Sequence, residues 1–403
     1  MSVASDRIAR GGDPARQAPN PAMWARARAV TERLADALAR EDYAGWDPYD
    51  ALSSPALRAL ARSRRLRQGA IQALRRSPLN VRPLVGVPKQ RHTKGIALVA
   101  SGLASLATTF GDEGARLTAK ELAADLVDRA IPAGGGVGWG YDFDVQTRWG
   151  YYRRGVPNAV VTAFVAHALL DVASDSGDEG AEAARAAVDY ACCQLLRESA
   201  GERYFAYFAG SRTPVHNASL LLVSLVARCA GPGSSEWHAA QDAVGYSLAR
   251  QRADGTWPYG EGRGLEWVDG FHTAYVLESL AGWQAVAPAE SLQRALERGL
   301  GVYVGRLVDP DGAPRATLAS RFPLDVHAAA SGISMLTTLA PSSPGTIVTA
   351  ERLLGWVLST MVRRDGRFAF QRQRLVRNSV PYVRWSDGHM LRALARYLQL
   401  GVR

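Results

Sequence analysis

An all-α fold, in which six helix pairs close into a ring, is what three features of the sequence predict. Six apolar helical segments recur at near-constant spacing, six amphipathic segments alternate with them, and a turn followed by aromatics stands after most of the amphipathic ones. The apolar segments begin near Lys94, Asn158, His216, Phe271, Val326 and Gly388, at spacings of 64, 58, 55, 55 and 62 residues. A stretch such as "NAVVTAFVAHALLDVA" is apolar almost all round, as a helix buried on every side must be.

The amphipathic segments cover 25–41, 115–130, 181–199, 235–251, 290–307 and 346–364. Their polar and apolar residues alternate at helical period, which gives one wet side and one buried side. The turns are "GWDPYD" (45–50), "GWGYDFD" (138–144), "RYFAYF" (203–208), "DGTWPYGE" (254–261) and "DGRFAFQ" (365–371), while "DGAPRAT" (311–317) keeps the turn and loses the aromatics. Asp-Gly followed by aromatics at alternate positions is a short-hairpin signature.

One helix set needs a polar face and the other does not, so the apolar set belongs inside and the amphipathic set outside. The simplest closure is an (α/α)6 toroid with short β-hairpins at the N-terminal end of the inner helices. Neighbouring repeats complete one another's core, so 23–403 reads as a single domain. The period breaks at about 50–90, which reads as a helical insertion. Residues 1–22 are polar and rich in Pro and Gly and read as a disordered arm.

Of the 403 residues 47% are hydrophobic and 21% charged, an ordinary globular composition. Three cysteines without a CxxC pair give no disulfide framework, and no cysteine stands near an inner-helix start, which argues against a cysteine-liganded zinc site. There is no apolar leader, and apolar runs such as "GIALVASGLASLA" stop short of the roughly 18–20 residues of a membrane span. These features predict a reducing, cytoplasmic setting with no cofactor and no metal. The net charge of +10 predicts an anionic partner: an acidic glycan, or a phosphorylated or lipid-linked small molecule. The basic run "RSRRLRQGAIQALRR" (62–76) reads as an exposed helical face for peripheral contact with an anionic membrane. The remaining arginines are spread along the chain without a recognition motif, so nucleic acid is not expected.

Polar residues gather where the inner helices begin. Five of the seven histidines lie there, His92, His216, His272, His327 and His389, and the sixth start carries Asn158. Ser, Thr, Asp and Asn at a helix start serve as caps, worth about 1 kcal/mol each. Capping accounts in part for Asp325, Ser386 and Asp387 but not for histidine, a mediocre cap. In a toroid all inner-helix N-termini point to one end, so these histidines are expected to line one funnel. The helix dipole disfavours positive charge there and keeps an imidazole neutral, able to act as a base. It also favours an anionic ligand. Arg148 and Arg384 in the adjoining loops would add charge-assisted contacts. Carboxylates and aromatics join them from the turns: Trp139, Tyr141, Asp142, Asp144, Trp257, Tyr259, Glu261 and Asp269, with Tyr382, Trp385 and Asp387 near the C-terminus.

On these residues the chain resembles known toroids. "QRADGTWPYG" is similar to the Gln–Gly–Trp repeat of prenyltransferases and squalene cyclases. The ring is similar to six-hairpin glycosidases and to the toroidal domain of glucuronyl C5-epimerases. "RFAFQRQRLVRNSVPYVRWSDGHMLRALARYL" resembles toroids associated with bacterial polysaccharide synthesis. The resemblance covers most of 80–403 and implies a carbohydrate-active enzyme that processes an acidic polysaccharide or its lipid-linked precursor by acid/base chemistry. For hydrolysis, Asp144 with Glu261 or Asp269 would serve as acid and base or nucleophile. For elimination or C5-epimerisation, His272 or His216 would abstract a proton and Tyr141 would return it. Trp139, Arg148, Asn158, Trp257, Tyr259, His327, Tyr382, Arg384, Trp385, Asp387 and His389 would bind substrate. Two alternatives stay open: an isoprenoid cyclase or prenyltransferase relative using Asp142 or Asp144, for whose acid motif "DFDVQT" is only a partial echo, and a non-catalytic glycan-binding toroid.

Overall fold

The computed structural model describes residues 18–148, 150–173 and 178–402. Its outer helices are α1 (Pro21–Arg40), α5 (Glu113–Asp128), α7 (Glu179–Tyr190), α9 (Ser235–Ala249), α11 (Glu290–Val302) and α13 (Thr346–Thr360). The inner helices are α4 (Thr93–Phe110), α6 (Ala159–Val172), α8 (His216–Cys229), α10 (Gly270–Val286), α12 (Val326–Leu339) and α14 (Gly388–Leu400). Each inner helix packs on the next, and α14 closes on α4, so the ring is complete. This is the (α/α)6 toroid that the repeat predicts.

Burial separates the two sets as the patterns require. The first twelve residues of α4 are all buried, whereas α5 buries only Ala119, Leu122 and Leu126. By length and composition α4 would pass for a membrane span, longer than the sequence reading allowed, but here it is a core helix clamped between α14 and α6. The seam is held at its outer layer by α1, where Trp24 Nε1 donates to the Leu398 carbonyl at 3.0 Å. Side-chain caps start most helices: Asn20 on α1, Asp112 on α5, Asn158 on α6, Asp269 on α10 and Asp325 on α12.

Three expectations need correction. The arm ends earlier, because Asn20 caps a helix that already includes Pro21 and Ala22; residues 1–17 lie outside the described residues. The segments 181–199 and 290–307 are not helical throughout. Both pass into a wide π-turn, at 191–195 and 303–307, and the first continues into strand β5.

The strands are brief antiparallel pairs: β1 (Ile131–Ala133) with β2 (Gly136–Gly138), β3 (Val145–Gln146) with β4 (Tyr151–Tyr152), and β5 (Leu196–Ser199) with β6 (Glu202–Phe205). A three-stranded patch joins β7 (Leu324–Asp325), β8 (Gln371–Arg372) and β9 (Arg377–Asn378). The aromatic turns at 138–144 and 254–261 are not hairpins. They are held by single bridges, Gly140 to Pro157 and Val215 to Gly260. Their tryptophans act as staples: Trp139 Nε1 donates to Leu126 O at 2.8 Å and Trp257 Nε1 to Ser247 O at 2.8 Å. Each thus donates to a carbonyl near the end of the preceding outer helix, where the Ser247 carbonyl also accepts from the Arg250 amide at 3.2 Å.

The insertion contains α2 (Pro55–Leu60) and α3 (Arg64–Arg76) around a small core of Leu52, Ile71, Leu74 and Val87. Its buried Arg82 donates to Asp50 at 2.8 Å and to the Asp47 carbonyl at 2.9 Å. The insertion lies across the inner-helix N-termini. Arg64 and Gln68 donate to the carbonyls of Arg148 and Thr147, and Arg67 bonds Gln146, so α3 rests on the β3–β4 hairpin. On its other side Asn378 donates to the carbonyls of Arg75 and Ser77.

Candidate functional site

The toroid brings one group of sequence-predicted residues together at the inner-helix N-termini. At the start of α10, Asp269 Oδ1 accepts from the His272 amide at 2.9 Å, the ordinary capping bond. Its Oδ2 accepts from Trp267 Nε1 at 2.9 Å and faces His272 Nδ1 at 2.7 Å. One carboxylate therefore caps the helix and orients the imidazole. With the Nδ1 proton committed to Asp269, Nε2 carries the free lone pair, which is the arrangement of a base. His272 retains 19% side-chain exposure.

Aromatic rings enclose this dyad. Phe271 lies 3.9 Å and Tyr259 4.5 Å from the His272 ring, and Tyr259 stacks on Trp267 at 4.4 Å. The Tyr141 and Tyr207 hydroxyls meet at 2.6 Å. Burial, then the neighbouring phenols of Tyr141 and Tyr152, push the Tyr259 hydroxyl far up, so it stays protonated. Arg148 reaches the rim, 5.5 Å from the Trp267 ring.

Below the rim lies a layer of nitrogen bases. His327 Nδ1 donates to the Trp385 carbonyl at 3.1 Å, and its Nε2 accepts from Tyr275 Oη at 2.6 Å. The His389 ring lies against His327 at 3.9 Å, tilted by 46°. Burial holds both imidazoles well below their ordinary value, and nearby Lys94 adds to the shift in each. Arg384 is buried and clamped on Asp47 at 2.5 and 2.8 Å, with Tyr141 and Trp385 against its guanidinium. Trp385 Nε1 donates to Asp325, which Gln371 and the His327 amide also engage.

Lys94 is the residue the sequence reading missed. It is 4% exposed, and its Nζ lies 3.9 Å from the Phe164 ring centroid with no carboxylate in ion-pair range among the described residues. Burial and then Arg384 push its ammonium well below the usual lysine value. The signal was present in "RHTKG": a lysine at the second position of an otherwise uncharged buried helix has to meet something polar in the lumen.

The other candidates are placed elsewhere. His216 turns outward between α8 and α9, facing Ser247 at 3.5 Å and Glu261 at 3.8 Å, so it does not reach the funnel. Glu261 is held on that outer side by Arg250 at 2.8 Å and Tyr246 at 2.7 Å. Asp144 sits in the β3–β4 hairpin and accepts from Tyr151 Oη and the Arg154 amide. Asp142 does not face a ligand freely. It caps α4, accepting from the Thr93 amide at 2.8 Å and hydroxyl at 2.7 Å, with Arg129 at 3.7 Å. His92 is buried beside it against Phe143. Trp139, Trp257, Asn158, Tyr382 and Asp387 are buried in the frame, where Asp387 accepts from the Phe368 amide and Arg367. Of these five only Trp257 borders the crevice beside His272.

Every carboxylate near the funnel is therefore engaged by protein donors: Asp47 by Arg384, Asp142 by Thr93, Asp269 by His272 and Trp267, Asp325 by Gln371 and Trp385. His272 differs from His92, whose two nitrogens lack hydrogen-bond partners, in keeping part of its imidazole exposed while His92 is buried. The crevice beside His272 is narrow, about 10 Å³ between Tyr259, Trp267 and Thr273. Arg148, from the turn of the β3–β4 hairpin, lies against Trp267 at its edge, and α3 rests on that hairpin. A surface hollow of about 510 Å³ beside α1, with Arg40, Lys89 and Arg363, is lined by none of these groups. Among the described residues no cluster of three His, Cys, Asp or Glu could hold a metal.

No protein-family model matches the chain, and no curated protein matches it in sequence. Solved structures do share its fold. The unsaturated glucuronyl hydrolase of Bacillus sp. GL1 superposes with a TM-score of 0.62 at 15% identity, over 93% of this chain and 96% of that one. An unsaturated glucuronyl hydrolase specific for heparin gives 0.62 at 12% identity, again over 93% and 96%. Cellobiose 2-epimerase of Bacillus thermoamylovorans gives 0.58 at 9% identity over 77% and 89%. These likenesses establish the toroid shared with six-hairpin hydrolases and sugar epimerases.

Proposed function

We propose that this protein is a carbohydrate-active enzyme that abstracts a proton from the carbon next to the carboxylate of an acidic sugar, leading to C5-epimerisation or β-elimination. The observation that carries the reading is the Asp269–His272 pair: an imidazole fixed at Nδ1 and bordering an aromatic crevice. Hydrolysis by two carboxylates is less well supported, because each acid near the crevice already carries protein hydrogen bonds. Solved structures with this fold include glucuronyl hydrolases and sugar epimerases, so the architecture accommodates sugars in both chemistries.

The division of labour follows from the geometry. His272 takes the proton. Tyr259, kept protonated by burial and with its ring 4.5 Å from the imidazole, is the acid that would return the proton. Lys94, whose charged form burial disfavours, gains its proton where an anionic sugar carboxylate arrives to pair with it, and lowers the cost of charge developing beside it. Tyr259, Trp267 and Trp385 offer faces for sugar rings. Entry requires α3 and the β3–β4 hairpin to part, and the polar contacts of Arg64, Arg67 and Gln68 that join them are exchangeable with water.

The test is incubation with oligosaccharides ending in glucuronate or another uronate in heavy water, read by NMR and mass spectrometry. Deuterium at C5, or a new double bond between C4 and C5, supports the reading. Loss of signal in His272→Ala assigns the base. Products of simple hydrolysis without exchange would overturn it. The narrowness of the crevice favours a second reading, a toroid that binds glycan without altering it. Binding with no chemical change in the same experiment would establish that one.

A further inference from the structure

The excess positive charge is not spread evenly over the fold. Between Asp50 and Asp112 the chain has no carboxylate, and the same holds between Asp144 and Asp171 and between Asp365 and Asp387. These three acid-free stretches contain the insertion, the β3–β4 hairpin and the β8–β9 hairpin, and the contacts of α3 with the two hairpins place them side by side at the funnel end. Exposed arginines stud them: Arg58, Arg62, Arg65 and Arg76 on the insertion, Arg153 on one hairpin, Arg374 on the other. Charge alone would suit any polyanion.

The apolar residues narrow the choice. Most of the exposed large hydrophobic side chains fall in the same three stretches, including Leu60, Leu66, Leu79, Leu84, Leu375 and Val376. Leu84 is 85% and Leu375 93% exposed, at the tips of loops rather than against a neighbour. Leucines held in water among arginines, without acids, cost free energy unless something apolar receives them. A glycan or a nucleic acid gains nothing from them. A bilayer accepts both features: the leucines in the acyl boundary and the arginines at the headgroups.

We propose that the funnel end is a docking surface for an anionic phospholipid bilayer. Arginines of the insertion and hairpins bind the headgroups, and the leucine tips enter the interface. The funnel then opens toward the membrane surface, where a lipid-anchored substrate would present itself. This inference stands on surface composition and does not depend on the chemistry assigned to His272.

The experiment is co-sedimentation of the full chain with vesicles of phosphatidylcholine alone and of equal phosphatidylcholine and phosphatidylglycerol, at 50 and 500 mM salt. Partition into the anionic vesicles, with affinity falling at least about tenfold at high salt, is expected. Replacing Arg65, Arg76 and Arg374 with glutamate is expected to lower that affinity at least about tenfold. Leu60→Ser, Leu84→Ser and Leu375→Ser together are expected to weaken vesicle binding while leaving retention on heparin unchanged. All six side chains are exposed, so the circular dichroism melt should match the parent and any loss reads binding rather than folding. Absence of binding to anionic vesicles overturns the proposal. So does vesicle binding that ignores the leucine variants, which would reassign the face to a soluble polyanion such as an acidic glycan.

Discussion

The two ends of the inner barrel carry similar residues and use them differently. At the far end a cavity of about 190 Å³ is lined by residues from all six inner helices, Glu278, Arg228, Arg392 and His167 among them. There the charges answer one another. Glu278 accepts from Arg392 at 2.9 Å and from Arg396, and Asp171 takes Ser101 at 2.6 Å and Arg228 at 2.8 Å. Both nitrogens of His167 are occupied, Nε2 with Ser224 at 2.9 Å and Nδ1 with Arg228 at 3.1 Å. At the funnel end His272 has one nitrogen committed and Lys94 has no acid. A histidine in a lumen is thus no sign of chemistry by itself; the partner count separates a base from a strut.

The comparison breaks first at His272. Its replacement by alanine should lower the rate of proton exchange by about 10²- to 10⁴-fold, measured with a uronate oligosaccharide, while the melting temperature stays near that of the parent. Asp269→Asn retains an oxygen for the cap but not the charge that holds the imidazole, and should fall in the same direction by less. An unchanged rate in both variants would remove the funnel end from the catalytic account.

At the far end stability, not activity, should respond. Burial alone would raise the Glu278 carboxyl, but Arg392 and Arg396 outweigh it and hold the group at about 2. Its contribution is present above the ordinary carboxyl value and lost as pH falls toward 2. Glu278→Gln should therefore cost on the order of 3 kcal/mol at neutral pH and progressively less in acid, read from denaturant unfolding. Burial, aided by Arg228, holds His167 at about 3, below its unfolded value. That shift makes the fold fully stable above about pH 6.5 and weaker as pH falls through the window toward 3. The loss at pH 5 is roughly 2 kcal/mol, and His167→Gln should flatten it. His216, held at about 4 by burial, adds to the same slope and gives the background against which the variant is compared.

The smallest effect concerns the frame. Trp257→Phe keeps most of the ring volume and removes the indole donor, leaving the Ser247 carbonyl only the Arg250 amide at 3.2 Å, which should cost about 1 kcal/mol without touching the exchange rate. A change in substrate affinity instead would return Trp257 to the ligand-binding role that the aromatic pattern had suggested.

Much of the ring was legible in the primary structure. Inner helices such as α6 are apolar on all sides because each is surrounded, and that requirement leaves its trace in every residue of "AVVTAFVAHALL". The capping role of Asp269 was equally visible, since Asp before "GFHTAY" has a local purpose. The alternation in "DGTWPYG" was misleading. Period-two aromatics suggested a hairpin with faces for sugar, but Trp257 points inward to finish the hydrogen bonding of α9. His216 is the first residue of α8 and His272 the third of α10, and that shift of two positions turns one to Ser247 and the other to Asp269 and Tyr259.

The sequence by itself determined the number of helix pairs, their inside-outside order and the end at which polar groups collect, because burial and capping act within a few residues along the chain. Which of those polar groups remains unengaged was decided only by the tertiary structure. Asp142 meets Thr93, Arg384 meets Asp47, and Lys94 meets no acid because chain segments tens to hundreds of residues apart are brought within hydrogen-bonding reach when the circle closes. The period of a repeat records that each unit folds alike; it holds no record of the partner that a given side chain finds across the lumen.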